Sequence, residues 1–447
     1  MGYMPVKKLL ITMSLPMMIS MLVQALYNIV DSVFVARLSE EALTSVTLAF
    51  PIQNLMIAIG SGTGVGVNAM LSKALGEKNF KRANDAANTG LLLSFLSAFA
   101  MMLFGLFATV PFMRSQTNDI SIINDGASYL KICCALSYGL FFQIMCERLL
   151  QSTGKTQFSM VSQLTGAIIN IILDPIMIFG LLGFPAMGVA GAAVATVTGQ
   201  FTAAIAGFVL NLKKNEEIKL QIKEIIKPKT DIIKGVYAVG VPSILMMSIG
   251  SLMTYMMNRI LIVFSTAATA VFGVYFKLQS FFFMPVFGLN NGLIPVLAFN
   301  FGAKNKARVK EALRFAIFLA LGIMLFGTLI FNAFPKFLMG FFKASDEMLS
   351  LGVPALRIIS LGFPVAAVCI ALGSTFQAFS KSVYSLIVSV MRQLVVLIPA
   401  AWLLSKTGIV TNVWWAFPIA EGASLIVTLI CYKRLYSGII SRLSHEE

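Results

Sequence analysis

Charge is what this chain has least of: only 12% of its 447 residues are Asp, Glu, Lys or Arg, against 58% that are hydrophobic. A water-soluble domain carries about 25% charged residues to cover its surface. The apolar residues here must therefore face something other than water. Histidine occurs once, as His445, which removes the commonest general base and metal ligand from the interior. The five cysteines (Cys133, Cys134, Cys146, Cys369 and Cys431) lie in or beside apolar stretches without metal-like spacing, and read as packing residues. No Gly-rich P-loop followed by Lys and Ser or Thr occurs, so nucleotide-driven work by this chain is not expected. These absences argue against an enzyme and against a resident cofactor.

What the chain has is long uncharged runs. Residues 9–30 lie between Lys8 and Asp31, and further runs cover residues 86–113 and 315–335. A helix needs about 20 apolar residues to cross the hydrocarbon core, and these runs are too long for barrel strands. The pattern predicts an all-α membrane protein of twelve transmembrane helices, starting near residues 9, 45, 88, 127, 158, 186, 235, 270, 312, 354, 383 and 412. The first run is as long as a full span and lacks a small-residue cleavage site, so no cleaved leader is expected. The net charge of +15 resembles a nucleic-acid signal until the charges are placed. Most of the lysines and arginines, among them Lys7, Lys78, Lys81, Lys213, Lys304 and Lys310, fall on the connections that share a side with the N-terminus. That asymmetry is the positive-inside rule. It puts both termini in the cytoplasm and makes the bilayer, not nucleic acid, the partner.

The chain is written twice. Shifting it by 226 positions superposes Phe50 on Phe276, Gln53 on Gln279, Gly62 on Gly288, Gly66 on Gly292, Gly76 on Gly302, Lys78 on Lys304, Asn79 on Asn305 and Arg82 on Arg308. Shared hydrophobicity cannot account for matches that are mostly Gly, Gln, Lys, Asn and Arg. Two six-helix lobes are expected, residues 1–222 and 223–447, as parallel repeats that close over a cavity and rock between inward- and outward-open states. The joint between Lys213 and Lys234 is basic, with Ile218, Leu220, Ile222, Ile225 and Ile226 interspersed. It reads either as a segment lying on the anionic inner leaflet or as a flexible tether.

Ionisable groups inside a span are costly and mark function. Gln24, Tyr27, Asn28 and Asp31 recur at helical spacing on one face of the first span, after Pro16, which removes a backbone hydrogen bond and makes a hinge. Gln163, Gly166, Asn170 and Asp174 form a second such stripe in the fifth span. Two stripes of amide and carboxylate can meet as an oxygen-lined site for sodium or for a proton. The repeat replaces Asp31 by Met257, Asn170 by Val396 and Asp174 by Ala400, so the site belongs to the N-terminal half. The blander reading of Asp31 is an interfacial ion pair with Arg37. Glu147 reads as a local pair with Arg148. Glu421 reads as a pair with Arg392 or as a substrate group, and Lys277 as lining a cavity or snorkelling. The methionines of the seventh span, including Met253 and Met257, suit either an adaptable substrate surface or ordinary packing.

The segments Leu26-Tyr27-Asn28-Ile29-Val30-Asp31, Asn170-Ile171-Ile172-Leu173-Asp174-Pro175 and Gly191-Ala192-Ala193-Val194-Ala195-Thr196 resemble the multidrug and toxic compound extrusion family. So do the paired loops Gly76-Glu77-Lys78-Asn79 and Gly302-Ala303-Lys304-Asn305. The resemblance implies a V-shaped pair of lobes, in a bacterial plasma membrane, exporting cationic amphipathic compounds in exchange for Na+ or H+. It implies that Asp31, Asn170 and Asp174 hold the coupling cation, with Thr196 and Tyr27 beside them, and that Pro16 bends the first helix. Gln24, Asn28, Gln53, Gln163, Lys277, Gln279, Met253 and Met257 are the expected cavity residues, and a monomer is expected. A flippase for lipid-linked sugars or cell-wall precursors is the alternative. Such relatives tend to have more spans and a strongly basic cavity.

Overall fold

The computed structural model describes residues 2–227, 229–342 and 344–443, so Lys343 and His445 lie outside the described residues. The described residues form helices and no strand. Ten helices are long and apolar enough to cross a membrane, and two bent pairs bring the number of spans to twelve. In order the spans are Val6–Ala36, Glu40–Gly76, Phe80–Phe107, the pair Ile120–Ala135 with Tyr138–Ser152, Thr156–Phe179 and Gly188–Lys214. The second set is Thr230–Leu261, Thr266–Gly302, Lys306–Ala333, the pair Asp346–Ser360 with Phe363–Ala378, Ser382–Ser405 and Val410–Arg442.

The repeat is visible in the helix ends. Glu40–Gly76 and Thr266–Gly302 are displaced by the same 226 residues, as are Phe80–Phe107 and Lys306–Ala333, and Thr156–Phe179 and Ser382–Ser405. The bent pairs bend alike, by 47° and 46°. The shared loop residues have structural causes. Lys78 and Lys304 take left-handed backbone conformations, with φ of 56° and 57°. Asn79 and Asn305 then cap the following helices, accepting from the backbone N–H of Arg82 and Arg308. One departure lies in the eleventh span, where Met391–Leu397 is wound as a π-helix just before Pro399. Proline lacks the N–H that a regular helix needs there, and the widened turn accommodates the loss.

Two compact units are not the two halves of the sequence. One comprises Ile19–Ile244, and the other Met1–Met18 together with Leu245–Glu447. The division at residue 222 expected from the repeat therefore differs from the packing. The reason is a pair of glycine contacts. In the N-terminal unit a Cβ on Gly66 would stand 2.2 Å from Val236 O, and one on Gly62 2.4 Å from Ile244. In the C-terminal unit a Cβ on Gly288 would stand 2.5 Å from Met18 Cα, and one on Gly292 2.5 Å from Ser14 Oγ. Small residues let two backbones touch, so the first half of the seventh span joins the N-terminal unit. The first half of the first span joins the other. Each helix changes unit two residues past a proline, Pro16 or Pro242.

The joint is not a loose tether. Lys219 N–H donates to Asn84 Oδ1 (2.6 Å) and Gln221 N–H to Asn88 Oδ1 (3.0 Å), while Asn88 Nδ2 donates back to Lys219 O (3.1 Å). Lys155 pairs with Glu217, and Lys229 with Asp85 and Glu224. The Asp85 carboxylate holds the Lys229 ammonium above the ordinary lysine range. The strap lies across the start of the third span, leaving Ile222 and Ile226 exposed. The interior of the C-terminal unit is largely aromatic, with Phe331 and Phe283 each set edge-on to Phe363 at 5.2 Å and Phe272 stacked near Trp414.

Candidate functional site

The fifth and sixth spans approach closely because glycines line their seam. A Cβ on Gly166 would stand 2.8 Å from Gly199 O, one on Gly199 2.7 Å from Gly166 O, and one on Gly191 2.4 Å from Met177 O. That approach brings Asn170 to Thr196, with Nδ2 donating to Oγ1 at 3.4 Å and to Asp174 Oδ1 at 3.3 Å. Gln163 Nε2 donates to Gln24 Oε1 at 3.0 Å and ties the fifth span to the first. Two to three turns further along, the carboxyl groups of Asp31 and Asp174 meet within hydrogen-bonding range. Tyr27 lies in electrostatic reach of both.

Three oxygens in this group are buried and have no hydrogen-bond donor: Asp31 Oδ1, Asn170 Oδ1 and Asp174 Oδ2. Asn170 and Asp174 are themselves buried, at 3% and 0% exposure. An unmet buried acceptor is expensive, and two carboxylates in contact repel. A metal cation placed among them would coordinate all three oxygens, and either a cation or a proton on one carboxyl would relieve the repulsion. The donors are all hard oxygen atoms, which fit Na+ or H+ and do not fit a soft transition metal.

The two stripes read from the sequence are thus brought together. No ion pair joins Asp31 to Arg37 among the described residues; the Arg37 guanidinium lies 5.9 Å from the Phe34 ring. Glu147 and Arg148 take different hydrogen-bond partners. Glu147 accepts from Gln143 Nε2 (3.0 Å), and Arg148 donates to Gln151 Oε1 (3.0 Å). Glu147 is buried and in electrostatic reach of Tyr27, which adds a third carboxylate to this region. Its sequence signal is the i, i+4, i+8 stripe Gln143, Glu147, Gln151, and the charge of Arg148 still acts on it. Neighbours in a helix do not face one another.

The expected cavity residues are scattered. Gln24 and Gln163 are half-buried at the site and Asn28 is exposed. Gln53 donates to the Tyr129 hydroxyl at 2.8 Å, beside the same region. In the C-terminal unit Met253 and Met257 are buried, at 8% and 0% exposure, and Gln279 is half-buried. Lys277 is exposed, its ammonium 5.9 Å from the Phe342 ring. Arg392 and Glu421 pair at 3.3 Å, the first of the two readings of Glu421, and Glu421 Oε2 has no donor.

Comparison with known proteins bears on the family and the fold. The MatE family model matches twice, over residues 16–176 and 242–403, once in each copy of the repeat. The multidrug export protein MepA of Staphylococcus aureus (strain MSSA476) is 25% identical over 440 residues, covering 96% of this chain and 94% of MepA. A protein of Shewanella oneidensis named as an FAD transporter is 26% identical over 434 residues, with the same coverage. A solved structure described as the outward-facing conformation of a multidrug resistance MATE family transporter superposes with a TM-score of 0.92. It is 25% identical and covers 98% of this chain and 97% of its own. With the family model matching most of the chain, twelve candidate spans and the double repeat, the chain belongs to the MatE family of multi-pass membrane transporters and is not an enzyme.

Proposed function

We propose that this protein is a secondary antiporter that exports cationic amphipathic compounds in exchange for Na+ or H+. The observation that carries the reading is the set of three buried oxygens without donors on Asp31, Asn170 and Asp174. Their counterparts in the second copy, Met257, Val396 and Ala400, cannot bind a cation, so coupling belongs to one unit. Thr196 offers a further oxygen, and Tyr27 covers the site from the first span. The name of the relative MepA supports drugs as the cargo class.

Cation and substrate exclude one another through the first span. With the cation gone, Asp31 and Asp174 repel, and the segment carrying Asp31 is displaced from the fifth span. Pro16 is the hinge, because it lies two residues before the helix passes from one unit to the other. Pro242 occupies the same place in the seventh span and makes a second hinge. Gln24, Asn28 and Gln163 lie along the substrate path. The lysine asymmetry supports both termini being cytoplasmic; the protein acts in the plasma membrane as a monomer.

The test is efflux of a fluorescent cationic dye from proteoliposomes under a sodium gradient and, separately, a pH gradient. Export driven by one gradient and lost in Asp31→Asn supports the antiporter and names its ion. Normal export by a folded Asp31→Asn protein would sink the coupling site. Absence of dye movement under either gradient would favour the flippase for lipid-linked precursors.

A further inference from the structure

The C-terminal unit contains a basic groove that the transport reading does not use. It lies where the start of the first span meets the first turns of the ninth, has a volume of about 550 Å3, and is lined by Lys7, Lys306, Lys310, Glu311, Arg314 and Phe315. Four cations thus face one carboxylate. The contacts that position the lysines are with neutral groups. Lys306 Nζ donates to Ser441 O (3.0 Å), Lys310 lies 5.2 Å from the Tyr436 ring, and Lys7 lies 6.0 Å from the Phe315 ring. Among the described residues, none of the four cations forms an ion pair. Topology demands positive charge at this end of the helices, but not its convergence on one groove.

The repeat supplies the contrast. A shift of 226 positions places Phe80, Asn84, Asp85 and Asn88 where Lys306, Lys310, Glu311 and Arg314 stand. In the N-terminal unit the chain itself occupies this place, with the strap bonded through its backbone to Asn84 and Asn88. An asparagine side chain both donates and accepts, which suits a peptide backbone. Lysine and arginine only donate, and carry charge. At i, i+4 and i+8, Lys306, Lys310 and Arg314 share one helix face, with Lys7 opposite. The second copy has exchanged a groove for a peptide for a groove that wants an anion with several acceptor oxygens. An arginine fork and ammonium groups at this spacing match a phosphate.

We propose that this groove binds a phosphate-bearing anion, supplied as the headgroup of an anionic phospholipid or as free phosphate. The site is separate from the cation site and does not depend on the transported substrate.

The test uses the purified full chain in mild detergent, with its thermal midpoint followed while short-chain phosphatidylglycerol, phosphatidylcholine of equal chain length, or inorganic phosphate is added at constant ionic strength. The variant Lys310→Asn/Arg314→Asn installs the residues of the first copy at exposed or half-exposed positions. Lys433→Asn/Arg434→Asn removes two exposed charges elsewhere. Phosphatidylglycerol should raise the midpoint of the wild type and of the Lys433→Asn/Arg434→Asn control. Lys310→Asn/Arg314→Asn should need on the order of tenfold more lipid for the same rise. Lys7→Gln, on the opposite wall, should weaken the response without touching the ninth span. A response to phosphatidylglycerol alone assigns the lipid, and an equal, variant-sensitive response to inorganic phosphate assigns the free anion. Equal midpoint shifts in wild type and both groove variants, or an equal shift with phosphatidylcholine, would overturn the proposal.

Discussion

At the scale of single residues, the decisive feature is acceptors without donors. Asp31→Asn supplies an amide donor to Asp174 and deletes one of the two charges. Gradient-driven dye export should fall to background while the thermal midpoint holds or rises. Asp174→Asn should behave alike. Asn170→Ala removes one unmet oxygen and should weaken the cation's half-saturating concentration several-fold rather than abolish transport. The Arg392–Glu421 pair makes a different prediction. The pair is partly buried; removing one partner of such a pair leaves the other uncompensated, whereas replacing both with apolar groups is often neutral. Glu421→Leu should therefore lower the midpoint more than Arg392→Leu/Glu421→Leu does, and export by the double variant distinguishes a structural pair from a substrate group. Asp31 and Asp174 were legible in the sequence because a carboxylate amid apolar residues stands out alone. Glu147 was not, because its meaning depends on what the bent fourth span packs against.

At the scale of helices, glycine positions decide which surfaces touch. Gly66→Ala and Gly292→Ala each force a methyl group into atoms 2.2–2.5 Å away and should destabilise by about 1–3 kcal/mol. Gly322→Ala, with nothing within 4 Å, should leave the thermal midpoint unchanged or slightly higher. The prolines act on motion. Pro16→Ala and Pro242→Ala restore a backbone donor in a helix that passes between units, and each should slow dye export without lowering the midpoint. The paired glycines were visible as repeat identities, but their purpose was not. A sequence match marks a residue as kept and says nothing of the backbone it faces.

At the scale of the molecule, the orientation proposed from the balance of lysines can be measured. All five native cysteines are buried, so a reporter cysteine stands out against a silent background. Tyr3→Cys, fully exposed near the N-terminus, should react with an impermeant maleimide only in inside-out vesicles. Leu182→Cys, exposed between the fifth and sixth spans, should react only from outside intact cells. The reverse labelling would invert the topology.

The sequence by itself determined the number of spans, their duplication, and which half carries the two stripes of amides and carboxylates. Each follows from local rules: the length of an apolar run, the period of a helix, the cost of a charge in lipid. Only the tertiary structure decided that the stripes of the first and fifth spans meet and that Glu147 lies in electrostatic reach of Tyr27. It also decided that the two units trade the first halves of the first and seventh spans, and that one copy of a groove is filled by the chain while the other is lined with cations. Those outcomes depend on contacts between residues far apart in the chain, where close backbone approach at a few glycines selects one packing among many that the same hydrophobic pattern allows.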